Sequence, residues 1–117
     1  MNRDFKLFLQ DILEAAQHVE TFVKDMRFED FTQDEKTLSA VIRKLEIIGE
    51  AAKNIPNGIR AAYPNVKWKD FAGMRDRLIH GYFGVDLNLV WNTATIIIPQ
   101  LIVDISRMIL DQGTEQT

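Results

Sequence analysis

Apolar residues return along this chain at steps of three and four. Phe5, Phe8, Leu9, Ile12, Ala16, Val19 and Val23 form one such stripe, the mark of an amphipathic helix with a single buried face. The pattern fades near Lys24. Residues 25–35 hold Asp25, Glu29, Asp30, Asp34 and Glu35 against Arg27 alone, a local charge of −4. That predicts a solvated connection, pinned to the core by Phe28 and Phe31. Thr32-Gln33-Asp34-Glu35 has capping-box spacing, with an acceptor first and a carboxylate three residues later. A second helix is expected behind it, with Leu38, Val41, Ile42, Leu45, Ile48, Ala52 and Ile55 on one face. Gly49 lies inside that helix. It costs about 1 kcal/mol relative to alanine there and lets another helix approach closely. Asn54-Ile55-Pro56-Asn57-Gly58 ends the helix, and Ile59 to Tyr63 predicts one more turn before Pro64.

Asn65 is placed to cap a short helical piece from about Val66. The chain then runs through Phe71, Met74, Leu78 and Ile79 into His80-Gly81-Tyr82-Phe83-Gly84, where two glycines mark a helix end and a turn. Asp86 is a good N-cap for the last helix, which carries Leu87, Val90, Trp91, Ala94, Ile97, Ile98, Leu101, Ile105 and Met108. Pro99 falls inside it and deprives the Thr95 carbonyl of its helical donor, so a kink is expected. Ile96 and Val103 widen the apolar face beyond one stripe. A helix apolar on most sides is either central or shared with a second subunit; in so small a bundle, sharing is the expectation. No strand pattern competes. The fold class is all-α: an antiparallel bundle of four main helices, the third broken in two, in a homodimer.

Composition narrows the function classes. A chain of 117 residues is one domain, 1–117, large enough for a core without staples. There is no cysteine, which excludes disulfides, thiolate metal sites and cysteine nucleophiles. Only His18 and His80 remain as histidines, so neither a metal nor a cofactor is expected. Fourteen basic against seventeen acidic side chains give −3, which rules out a uniformly basic nucleic-acid coat but not a local basic patch. The most apolar stretch, Ala94 to Val103, falls far short of the ~20 residues of a membrane span. With no signal-peptide pattern at the N-terminus, a cytoplasmic protein without membrane attachment is expected.

Residues 67–82 concentrate the chemistry. Lys67, Lys69, Arg75 and Arg77 stand against Asp70 and Asp76, a local charge of +2. Arg75 and Tyr82, seven apart, share a face if the helix persists. Asp76 and His80, four apart, are helical neighbours, so Asp76 is a candidate to orient the His80 ring or raise its pKa. Arginine and histidine together suit RNA cleavage. RNA supplies its own nucleophile, the 2′-hydroxyl. A histidine titrating near neutrality moves protons, and an arginine meets the extra phosphorane charge with a fork of donors. No metal is needed. One histidine does not readily serve as acid and base at once, and a symmetric pair would supply two. On spacing alone the motif is weak. Its other reading is a solvated, salt-bridged face with His80 closing the helix favourably to the dipole.

Arg75-x-x-x-x-His80-x-Tyr82 resembles the signature of the HepT-like ribonucleases, toxins of the HepT–MntA toxin–antitoxin systems within the HEPN superfamily. Ile48-Gly49-Glu50-Ala51-Ala52 is similar to the family's second-helix motif. Trp68, Gly73-Met74-Arg75-Asp76 and His80-Gly81-Tyr82 resemble its central block, and Val85-Asp86, Val90-Trp91 and Pro99 its last helix. The likeness spans about Leu7 to Ile105, with no departure at the signature positions. It implies an all-α HEPN bundle acting as a homodimer. The active site would lie in a cleft between subunits, with both copies of Arg75 and His80 catalytic. The activity would be metal-independent endoribonuclease on cellular RNA. The implied partner is an MntA-type nucleotidyltransferase antitoxin that transfers AMP from ATP to the motif tyrosine, here Tyr82. The phosphates so added would occupy Arg75 and fill the RNA groove. From another function class comes a non-catalytic HEPN module that binds nucleotides or partners a nucleotidyltransferase.

Other residues carry open readings. Lys67, Lys69 and Arg77 either track an RNA backbone or form a solvated surface. Trp68 either stacks on a base or, as favoured here, anchors the core or an interface. Trp91 is expected in the core. Glu50, on an otherwise apolar helix, either supports Arg75 or Arg77 or is simply exposed. His18 is expected at the surface, and Phe22 and Phe28 in packing.

Overall fold

The computed structural model describes residues 4–80 and 84–115, and among them there is no strand. The apolar stripes become two long helices, α1 (Phe5–Val23) and α3 (Glu35–Lys53). The Asp4 carboxylate caps α1 by accepting from the Lys6 N–H at 3.0 Å. Beyond its last turn Asp25 turns the chain at φ 61°, a left-handed position that aspartate tolerates better than most residues. Helix α3 packs on α1 on one side and on α5 (Trp68–His80) on the other, and α1 also packs on α7 (Ile98–Glu115). Leu9, Ile12 and Val19 of α1, Val41, Leu45 and Ile48 of α3, and Ile98, Ile105 and Met108 of α7 are almost fully enclosed. At about 25 cal/mol per Å² of apolar surface removed from water, such residues dominate the stabilising side of folding.

Several expectations are corrected. The acidic stretch 25–35 is not a bare connection but contains the helix α2 (Phe28–Gln33). The Asp30 carboxylate accepts from the Arg27 N–H at 3.0 Å to start it. Phe31 is fully buried and stacks obliquely on Trp91, ring centroids 5.1 Å apart, and Phe28 meets the same indole at 6.1 Å. Two aromatic anchors outweigh the charge that made the segment look solvated. Thr32 therefore lies within α2, and the N-cap of α3 is Asp34. One of its carboxylate oxygens accepts from the Thr37 N–H at 3.0 Å and the other from the Thr37 hydroxyl at 2.7 Å. Asn65 caps nothing: α5 starts at Trp68, after the short α4 (Asn57–Ala62), and the Lys67 carbonyl accepts its first amides. Trp91 is half-buried rather than enclosed. His18 is half-buried too, its ring stacked on Phe22 at 6.1 Å and its Nδ1 enclosed without a hydrogen-bond partner.

The last helix answers Pro99 without a break. Between α6 (Leu87–Asn92), capped by Asp86, and α7, residues Thr93–Ile97 form a π turn. There the Ile98 N–H donates to the Thr93 carbonyl, five residues back. The Thr93 and Thr95 hydroxyls donate at 2.8 Å to the Leu89 and Trp91 carbonyls. Widening one turn is a known way to accommodate a missing helical donor. The continuous helix Leu87–Gly113 has 27 residues and is long and apolar enough, by length and composition, to cross a membrane. That corrects the short span counted from Ala94 to Val103. A third of its most apolar stretch is buried within the protein, and core helices of soluble proteins reach the same length and apolar character. At 1.5 Å per residue it runs about 40 Å and sets the long axis of a bundle measuring 48 × 29 × 24 Å.

Candidate active site

Phe71 and Met74 turn one face of α5 into the core and so bring Arg75 against α3. The two helices meet at Gly49. A Cβ there would strike the Arg75 Cβ and stand 2.7 Å from the Phe71 carbonyl oxygen. Glycine at this position is therefore required by the crossing, as its place inside an apolar helix suggested. The crossing also fixes the stem of Arg75, whose side chain is 27% exposed. One guanidinium nitrogen, Nη2, lies 3.3 Å from the Glu50 carboxylate. The other, Nη1, donates to the Asp76 carboxylate at 3.1 Å. The same Asp76 oxygen lies 3.6 Å from Lys53 Nζ. Two cations and two carboxylates thus alternate across the contact between α3 and α5. Hydrogen bonding from Arg75, helped by the charge of Lys53, holds the Asp76 carboxyl below the ordinary carboxylate range. A guanidinium has five N–H donors, so two carboxylates orient it and leave donors for an incoming anion.

His80 is the last residue of α5, five residues and about 7.5 Å of helical rise beyond Arg75. Asp76, expected beside His80 from its four-residue spacing, has one carboxylate oxygen engaged by Arg75 and Lys53; the His80 side chain lies outside the described residues. Tyr82 lies outside the described residues, and with it the expected Arg75–Tyr82 face. Lys67 precedes α5 and Lys69 sits in its first turn. Both are exposed, as is Arg77, and neither lysine forms part of the Arg75 cluster. Trp68 is buried, and its indole N–H donates to the Tyr63 carbonyl at 3.1 Å. It anchors the core and is not free to stack on a base. Among the described residues no cluster of three or more histidine and carboxylate side chains is placed to hold a metal ion.

Two cations escaped the sequence reading. Lys53 stands four residues after Gly49, hence on the same side of α3, so the glycine that marks the crossing also marked it. Arg60, half-buried on α4, had no comparable signal. It lines a cavity of about 390 Å³ with Lys67 and Lys69.

The family model for HepT-like ribonucleases matches residues 12–108. This chain belongs to the HepT-like ribonuclease family. Its all-α bundle agrees with that assignment, and membership places it among RNA-cleaving enzymes. A Thermococcus cleftensis protein named "Probable ribonuclease HepT" is 52% identical over 101 residues, 86% of this chain and 92% of that protein. Two Methanocaldococcus jannaschii proteins, named "Putative RNase MJ1216" and "Putative RNase MJ0125", are 48% and 49% identical. Each alignment covers 93% of this chain, and 90% and 94% of the respective relative. No solved structure matches the chain significantly.

Proposed function

We propose that this HepT-like protein is a metal-independent endoribonuclease, the cytoplasmic toxin of a toxin–antitoxin pair, with Arg75 and His80 as its catalytic residues. The observation that carries the reading is the guanidinium of Arg75, fixed at the α3–α5 crossing between Glu50 and Asp76, five residues before a histidine at the end of the same helix. In the proposed reaction His80 removes the proton of a 2′-hydroxyl. The resulting alkoxide attacks the adjacent phosphorus, and the bond to the 5′-oxygen breaks. A second His80, from the partner copy, gives that oxygen a proton. The products are a 2′,3′-cyclic phosphate and a 5′-hydroxyl. Arg75 meets the charge that builds on the phosphorane, and Glu50 and Asp76 hold it in position.

A homodimer supplies the second histidine. Ile96, Val103 and Leu110, seven apart along the last helix, are 68%, 60% and 71% exposed. An apolar stripe at that step suits a helix–helix seam. Control by an MntA-type nucleotidyltransferase follows from the family resemblance. Attack of the Tyr82 hydroxyl on the α-phosphorus of ATP would release pyrophosphate and leave AMP on that tyrosine oxygen. The activity test is cleavage of RNA in EDTA by wild type, Arg75→Ala and His80→Ala. Cleavage by wild type alone is expected. A folded, unmodified and inactive wild-type dimer would favour the non-catalytic binding module instead. For the control step, intact mass after incubation with the nucleotidyltransferase and ATP should rise in wild type and not in Tyr82→Phe.

A further inference from the structure

The cavity of about 390 Å³ between α4 and the start of α5 lies away from Arg75, and its charge is unbalanced. Arg60 reaches it from α4, Lys67 from just before α5, and Lys69 from the first turn of α5. Asp70 is the single carboxylate on its lining. Arg60 donates to the neutral side-chain amide oxygen of Asn57. Among the described residues none of the three cations is in an ion pair with a carboxylate. Burial of Val66 and Trp68, and the indole bond to the Tyr63 carbonyl, make one wall rigid. This is a preformed concavity for an anion.

The face of α5 that leads away from it carries a second anomaly. Lys69, Gly73, Asp76 and His80 are spaced four, three and four apart, so they fall in one line along the helix. Gly73 is exposed, and a Cβ there would meet nothing within 4 Å. Unlike Gly49, it serves no packing in this chain and should weaken the helix relative to alanine. A helix residue kept bare on an open face leaves room for something outside the chain to lie close to the backbone.

We propose that this cavity is a remote substrate subsite. It binds a phosphodiester of single-stranded RNA a few nucleotides from the bond that is cut, and the strand crosses α5 over Gly73. The proposal rests on the ribonuclease reading for what happens at His80, but the binding itself does not depend on cleavage. From Lys69 to His80 the helix rises about 16 Å, a distance an extended strand covers in a few nucleotides. The ligand class is a polyanion whose phosphates are regularly spaced. Recognition by lysine and arginine around one cavity is charge-based and insensitive to base identity.

The test uses the full chain and fluorescently labelled single-stranded RNA, followed by anisotropy across a salt series, beside cleavage of the same RNA. The Arg60→Ala/Lys69→Ala double variant removes two phosphate contacts. The slope of log K against log salt should become shallower by about 1.4, and affinity near 0.15 M salt should fall roughly tenfold, at about 0.7 per contact for single strands. Affinity gained on lengthening the RNA from a dinucleotide should shrink by the same factor. Gly73→Ala should melt at a higher temperature yet bind the longer RNA more weakly, which separates a lost track from a damaged fold. Unchanged slope and affinity in the double variant, with wild type still cleaving, would overturn the subsite and leave the ribonuclease reading intact. Weakened binding without cleavage by any variant would support the subsite and remove the ribonuclease. Gly73→Ala that binds RNA as wild type but changes the mass of the oligomer would assign that face to a second copy and overturn the track.

Discussion

Gly49 and Gly73 stand inside two helices that pack together, and their surroundings are opposite. Around Gly49 there is no room: the Cβ of Arg75 and the Phe71 carbonyl already fill the place of a side chain. Around Gly73 there is only open space. The same residue type, with the same local cost, serves closeness within the chain in one region and openness toward the outside in the other. The first region holds Arg75 still. The second leaves the helix surface bare at Gly73. Rigidity and access are divided between the two faces of α5.

The largest effect separates the chemistry from the scaffold. His80→Ala should lower the cleavage rate by about 10² to 10⁴, the range for loss of a proton-transferring side chain, with the melting temperature nearly unchanged. A His80→Ala protein that cleaves normally would detach the end of α5 from the reaction. Next comes the crossing. Gly49→Ala forces two backbones apart, and such overpacking costs about 1–3 kcal/mol, a loss that thermal unfolding will register. Arg75 should be displaced as well, so cleavage should drop at temperatures where the variant is still folded. A neutral Gly49→Ala would mean the helices separate freely, and the contrast with Gly73 would vanish.

Gly73→Ala should move stability the other way, by about 0.5–1 kcal/mol, read as a higher melting temperature. The smallest effect is in acid. Asp34 is held below the ordinary carboxylate range by the Thr37 hydroxyl and amide, and Asp76 by Arg75 and Lys53. The folded protein therefore takes up these protons less readily than the unfolded chain. Their stabilisation is complete above the unfolded value, near pH 4, and is lost as pH falls through the lower folded values. Asp34→Asn, which can still cap α3, should melt with a flatter dependence on pH below about 4 than wild type.

Much of this was legible in the chain. The stripes of α1 and α3, the N-cap at Asp86 and the close approach at Gly49 each follow from a local rule. Helix α2 was hidden because five carboxylates in residues 25–35 outweigh two phenylalanines in any local count. Only the distant Trp91 shows what Phe31 packs against. Pro99 announced a missing donor, but not that the turn before it would widen into a π turn. At the site, the Glu50–Arg75 contact was within reach of the sequence, and Lys53 was one helical turn from Gly49. Arg60 was not legible, because nothing local says that α4 folds beside the start of α5.

The most direct test of the central claim is the chemistry of the cut ends. Wild-type protein should be incubated with a defined single-stranded RNA in EDTA and the fragments weighed by mass spectrometry. Attack by the 2′-hydroxyl, with Arg75 and His80 as the only catalytic groups, predicts a 2′,3′-cyclic phosphate on one fragment and a 5′-hydroxyl on the other. A 3′-hydroxyl paired with a 5′-phosphate would require an external water as nucleophile and would contradict the account.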